Sequence, residues 1–130
     1  MRVAKNDVDV QMQIPGAVLR QTLDFGDASG YGRISGEYFS LSAGVDTTPL
    51  FVGLDGGVCD CPHWGFVVRG RLTTTGANGE KETVNADDLF YWPPGHNVSV
   101  EADADIVMFS PQREHTHVIN HMIRKVQESQ

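Results

Sequence analysis

Apolar and polar residues alternate over short stretches for most of this chain, and change to a helical spacing only near its end. Period two marks half-buried strands, because successive side chains of an extended backbone point to opposite faces. Residues 17–23 read as a first strand, with turn chemistry after it at Gly26-Asp27-Ala28-Ser29-Gly30. Residues 34–41 alternate with a break of phase at Gly36 that suggests a bulge, leaving Glu37, Phe39 and Leu41 on one face. A loop at 43–49 leads to the short apolar piece Leu50-Phe51-Val52. The central strand begins at His63, passes Gly70 and runs through the threonines at 73–75. Asn78-Gly79 then gives the strongest hairpin signal in the chain, with a return strand at 82–84. A turn at 86–88 precedes the strand Leu89-Phe90-Tyr91-Trp92, which Pro93-Pro94-Gly95 breaks. Two further strands are expected at 97–101 and 105–110 around an acidic turn, Ala102-Asp103-Ala104.

After Pro111 the texture changes. His117, Val118, His121, Met122, Lys125 and Val126 recur at helical spacing in a segment free of glycine and proline. This predicts one helix over 112–128, packed on the outside of the sheet. Many short antiparallel strands with regular turn signals argue for an all-β sandwich or small barrel. The whole of 1–130 reads as one domain: a polar arm at 1–16, a barrel over 17–110 and the helix.

Composition narrows the function. The 130 residues carry a formal net charge of −7 with pI near 5.0, so a phosphate backbone is repelled and nucleic acid is a poor partner. The N-terminus has no apolar signal region, no window is long enough to span a membrane, and the simplest location is the cytoplasm. There is no glycine-rich phosphate loop and hence no expected nucleotide cofactor. The two cysteines are one residue apart, a poor arrangement for a disulfide, and read as free thiols or ligands.

The chemistry concentrates at Cys59-Asp60-Cys61-Pro62-His63. In an extended chain Cys59, Cys61 and His63 share a face, unless Pro62 resets the alternation. His96 follows the Pro-Pro-Gly turn and could join them. Sulfur and imidazole donors favour zinc or another thiophilic ion over magnesium or calcium. The bland alternatives are half-buried thiols, a barrel-lining histidine and a polar turn residue. Arg69 shares the parity of His63 and is a candidate for meeting an anionic substrate. Tyr91 and Trp92 are further substrate-contact candidates, although aromatic strands are more often packing. His115, His117 and His121 look like a cluster, but read as solvent or interface residues on an outer helix.

The run His63 to Gly70, followed by Ala86 to Gly95, resembles the two motifs of the cupins. These are jelly-roll barrels, or double-stranded β-helices, that usually hold one divalent metal. The strand Phe66-Val67-Val68-Arg69-Gly70 and the turn Pro93-Pro94-Gly95 fall where that family has them. Counted from Gly70, the family's glutamate position is His63 and its two histidine positions are Cys59 and Gly57. Counted from Gly95, its last histidine position is Val98, with His96 two residues earlier. The resemblance implies a small-molecule site with zinc, iron or nickel on Cys59, Cys61, His63 and His96, and metal-dependent chemistry of dioxygenase, isomerase or decarboxylase type on a small acidic or carbonyl-bearing metabolite. A metal-free binding or sensing barrel and a purely structural zinc are the alternatives. A homodimer is expected, because apolar edges such as 50–52 and the N-terminal arm would be covered by a second chain.

Overall fold

A computed structural model of the chain describes residues 1–26 and 30–129; the expected turn at 26–30 lies largely outside them. Seven strands, β1 (Val10–Ile14), β2 (Ala17–Thr22), β3 (Ile34–Leu41), β4 (His63–Gly76), β5 (Lys81–Asn85), β6 (Leu89–Trp92) and β7 (His96–Pro111), precede one helix, α1 (Gln112–Glu128). Every strand pair is antiparallel, in the order β1-β2-β3-β7-β4-β5, and β6 also pairs with β4.

Strands β4 and β7 organise this sheet. At about 3.3 Å per residue either would run straight past the edge of a domain this size. Both therefore bend, at the same place. The β4–β7 register slips three times between Val67 and Leu72, and Gly70 at the corner has φ +94°. A Cβ on Gly70 would stand 2.3 Å from the Asp103 carbonyl oxygen and 2.6 Å from Ala104 Cα. Glycine is required there for both conformation and close approach. We expect Gly70→Ala to cost about 2–4 kcal/mol, read from urea denaturation; a loss below about 0.5 kcal/mol would show that the corner relaxes freely.

The bend closes the sheet. Gly76 at the end of β4 pairs with His96, yet the ring of His63, at the start of β4, lies 5.2 Å from that of His96. Ladder ends that would be far apart in a flat sheet meet around one apolar core, which includes Leu19, Phe39, Val67, Leu72, Val100, Ile106 and Met108.

Four expectations need correction. The ladders pass Gly36 in register on both sides, with Thr22 and Phe109 opposite it, so β3 has no bulge there. Residues 102–104 form no turn: β7 runs unbroken through them, because Ala104 is fully buried and Asp103 faces out to accept the Ala43 N–H at 2.8 Å. Leu50-Phe51-Val52 is no edge strand. Pro49 starts a 3-10 turn at Thr48–Leu50, and Phe51 drops into the core. Finally, α1 does not lie outside the barrel. Its inward stripe is His115, Val118, Ile119 and Met122, an i, i+3, i+4, i+7 face. With His115, Val118 and Met122 lining the interior cavity, the helix closes the barrel.

Candidate metal centre and its hydrogen-bond network

Three separate pieces of chain deliver the site. His63 is the first residue of β4, opposite Trp92 of β6, and faces inward. His96 is the first residue of β7 and is also buried. Cys59 is tied to that strand end by its backbone: its N–H donates to the His96 carbonyl at 2.9 Å, and Gly95 N–H donates to the Cys59 carbonyl at 2.7 Å. One ligand atom from each of Cys59, His63 and His96 lies within 4.8 Å of the other two. Cys59 Sγ is 3.5 Å from His63 Nε2.

Behind them lies a network that sequence reasoning missed. Glu37 of β3 is fully buried and accepts from four donors: Gln21 Nε2 at 3.1 Å, Ser35 Oγ at 3.1 Å, Ser110 Oγ at 2.6 Å and His115 Nδ1. His63 Nδ1 contacts Ser110 Oγ at 2.7 Å. Ser110 has one proton, and it goes to a carboxylate that only accepts, so His63 Nδ1–H must donate to Ser110. Its Nε2 is left as a bare lone pair toward Cys59. His96 Nδ1 meets the Pro93 carbonyl at 2.7 Å, so that nitrogen too is the donor and its Nε2 is free. His115 is fixed the same way by Glu37. The one signal in the sequence was Glu37 itself, an acid on the Phe39 and Leu41 face of an alternating strand.

The electrostatics follow from burial. Burial, and then the neighbouring His115 and His96, push His63 well below the ordinary histidine value; burial lowers His96 as well. Burial pushes the Cys59 thiol up to about 12 and raises Cys61 further. Both histidines are thus neutral in the folded chain at pH 7. The unfolded chain binds more protons below about pH 6.5, so stability is complete above that value and falls as pH drops through it. We expect a slope approaching about 1.4 kcal/mol per pH unit from His63, with a contribution of the same sign from His96. Denaturant melts between pH 7.5 and 5.5 check this, and a flat profile would contradict the depressed values.

The remaining candidates separate. Cys61 is buried but outside the cluster, its thiol directed at the carbonyls of Pro62 (3.4 Å) and Pro111 (3.8 Å); Pro62 does reset the alternation. Arg69 does not enter the barrel. The bulge between Val67 and Arg69 turns it out, where it is solvent-exposed and paired with Asp105. Tyr91 lies on the outer face stacked on Trp64, with centroids 5.2 Å apart. Trp92 is buried, edge-on to His63 at 6.3 Å, and its Nε1 has no hydrogen-bond partner among the described residues. His117 is exposed, and His121 Nε2 donates to the Val52 carbonyl at 2.8 Å.

The cluster forms the polar end of an interior cavity of about 70 Å³. The rest of its wall is aliphatic and aromatic, from Leu19, Phe39, Phe51, Val100 and Met108 among others.

No protein-family profile and no curated protein matches the chain. Solved structures do. The polyketide cyclase RemF of Streptomyces resistomycificus aligns at 20% identity over 85% of this chain and 78% of its own, with a TM-score of 0.57. Ectoine synthase of P. lautus aligns at 13% identity over 85% and 78%, with a TM-score of 0.59. Oxalate decarboxylase of Bacillus subtilis, a protein with Mn(II) centres, aligns at 16% identity over 82% of this chain, with a TM-score of 0.54; the chain spans 28% of its length. These are cupin-fold proteins, and the likeness is one of fold. The chain is an all-β barrel of the cupin fold with a C-terminal helix. No helix among its described residues is long and apolar enough to cross a membrane.

Proposed function

We propose that this protein is a metal-binding cupin that holds zinc, iron or nickel on Cys59, His63 and His96 and uses the barrel interior to act on a small metabolite. The observation that carries this reading is the assignment of protons. Both histidines spend Nδ1–H on fixed acceptors, Ser110 and the Pro93 carbonyl, leaving Nε2 available. This is the outer arrangement metal-binding histidines commonly have. The donor set is one sulfur and two nitrogens, which suits the softer divalent ions better than the manganese of the oxalate decarboxylase. Three protein ligands also leave a coordination position open, as catalytic sites do. When bound, the ion supplies a Lewis acid at the polar end of the cavity, and turnover of dioxygenase, isomerase or decarboxylase type is consistent with that place. The chain's own groups hold the protons: Ser110 and Glu37 keep His63 in its tautomer, and the neutral thiol of Cys59 is the one that must lose a proton on coordination. The free thiols of Cys59 and Cys61 suit a reducing cytoplasm.

The test is elemental analysis of protein purified without chelator, followed by cobalt substitution. We expect close to one ion per chain, and a near-ultraviolet thiolate-to-cobalt band that Cys59→Ser removes and Cys61→Ser keeps. No ion before or after reconstitution would sink the reading.

One observation favours a metal-free binding or sensing barrel instead. The Cys59 thiol can donate directly to His63 Nε2, satisfying both groups without an ion. In that case the cobalt band never forms, although the cavity still binds. A homodimer is also proposed, now through the outer face where Trp64, Tyr91 and Phe109 are part-exposed neighbours across β6, β4 and β7. Sedimentation equilibrium checks this: Trp64→Glu is expected to give a monomer, and a wild-type monomer would refute it.

A further inference from the structure

The cavity has an unusual balance for a site suspected of acting on metabolites, which are so often anionic. Among its described lining residues there is no Lys, Arg, Asp or Glu. Its polar groups are Thr47, Cys59, His63, His96 and His115, and four of these five make up the buried cluster. Glu37, the buried acid behind the cluster, has no exposed side-chain surface and its carboxylate is fully committed to four donors. The central-strand arginines face solvent and are already paired, Arg69 with Asp105 and Arg71 with Glu101.

We infer that the chain's own groups make the barrel interior select a small, uncharged, largely apolar molecule, with one hydrogen-bonding or coordinating group turned toward Cys59, His63 and His96. This rests on the reading that the barrel interior is the functional site, and it replaces the acidic substrate expected from Arg69. Where no ion is bound, burying a carboxylate here strips its water, and the chain itself offers no cation in return. An amide, ketone or alcohol of the same shape loses far less, and its apolar body meets a wall suited to it. The cavity of about 70 Å³ has room for a small molecule only. Val118 and Met122 of α1 form part of the wall.

The protein carries its own reporters. Of its four methionines, Met12, Met108 and Met122 line the cavity, whereas Met1 is 90% exposed. Methyl-¹³C methionine spectra are recorded while isobutyramide or isobutyrate is titrated into chelator-treated and zinc-loaded protein. The two probes share a shape and differ in charge. We expect isobutyramide to move the Met12, Met108 and Met122 methyls and leave Met1 in place, with isobutyrate binding at least tenfold more weakly to the chelator-treated protein; in the zinc-loaded protein the ion's own charge offsets that difference. Val118→Phe on α1 and Ala17→Val on β2 both enlarge residues that line the cavity, and each is expected to weaken isobutyramide at least tenfold; either one that folds is sufficient. Isobutyrate binding the chelator-treated protein as tightly as isobutyramide does, or neither probe moving the three methyls in either preparation, overturns the inference. If cobalt and zinc fail to bind while isobutyramide still moves the cavity methyls, the metal reading falls and the neutral-ligand inference stands.

Discussion

His63→Ala is expected to reduce bound metal by at least tenfold relative to wild type, a loss of about 1.4 kcal/mol or more of binding free energy. His63 belongs to both buried groups of potential ligands, Cys59–His63–His96 and Glu37–His63–His115, so no other residue substitutes for it without moving a strand. Its removal leaves one thiol and one imidazole, a two-donor set that seldom retains a divalent ion against solvent. Metal per chain by elemental analysis is the readout, with Cys61→Ala as the control expected to keep wild-type content. The same variant separates catalysis from stapling. A structural ion would make the thermal midpoint of wild type fall on chelation to that of His63→Ala. A site that serves chemistry leaves most of the stability in place. Wild-type metal content in His63→Ala would remove this residue from the proposed centre.

The second large effect concerns Glu37. Glu37→Ala is expected to destabilise the fold by about 3–5 kcal/mol in urea melts, because breaking one side of a buried charged network strands the groups that relied on it. Here those groups are Gln21, Ser35, Ser110 and His115. They come from β2, β3, the end of β7 and α1, so the carboxylate joins the helix to the barrel wall. Glu37→Gln preserves the shape but replaces one acceptor oxygen by a second donor, facing either Ser110 or the three groups on the other side. An intermediate loss of about 2–3 kcal/mol is expected. A cost below about 1 kcal/mol for the alanine variant would mean that water takes over the four donors, and that the network neither anchors α1 nor fixes the His63 tautomer.

Much of the architecture is written locally. Strands β3 and β6 follow from alternation, the β4–β5 hairpin from Asn78-Gly79, and the end of β6 from Pro93-Pro94-Gly95, because these signals act over a few residues. The cupin rhythm around Gly70 and Gly95 extended that reading to the fold. Local signals misled where distant packing decided the outcome. Residues 102–104 resemble a turn, but they sit opposite Gly70 at a corner that both long strands share. Arg69 has the parity of His63 until a bulge turns it outward. The helical face was read from His117, Val118, His121, Met122, Lys125 and Val126, of which Val118 and Met122 do turn inward, joined by His115 and Ile119.

Sequence alone therefore determined most of the strands and the helix as an element, and proposed Cys59, Cys61, His63 and His96 as residues able to share an ion. Tertiary structure decided which way Cys61 and Arg69 face, where α1 docks, and that Glu37, Ser110 and His115 stand behind the site. The physical reason is range. Strand alternation and turn chemistry are properties of neighbours along the chain, while burial of an acid beside a serine 73 positions away in sequence exists only once the sheet has closed.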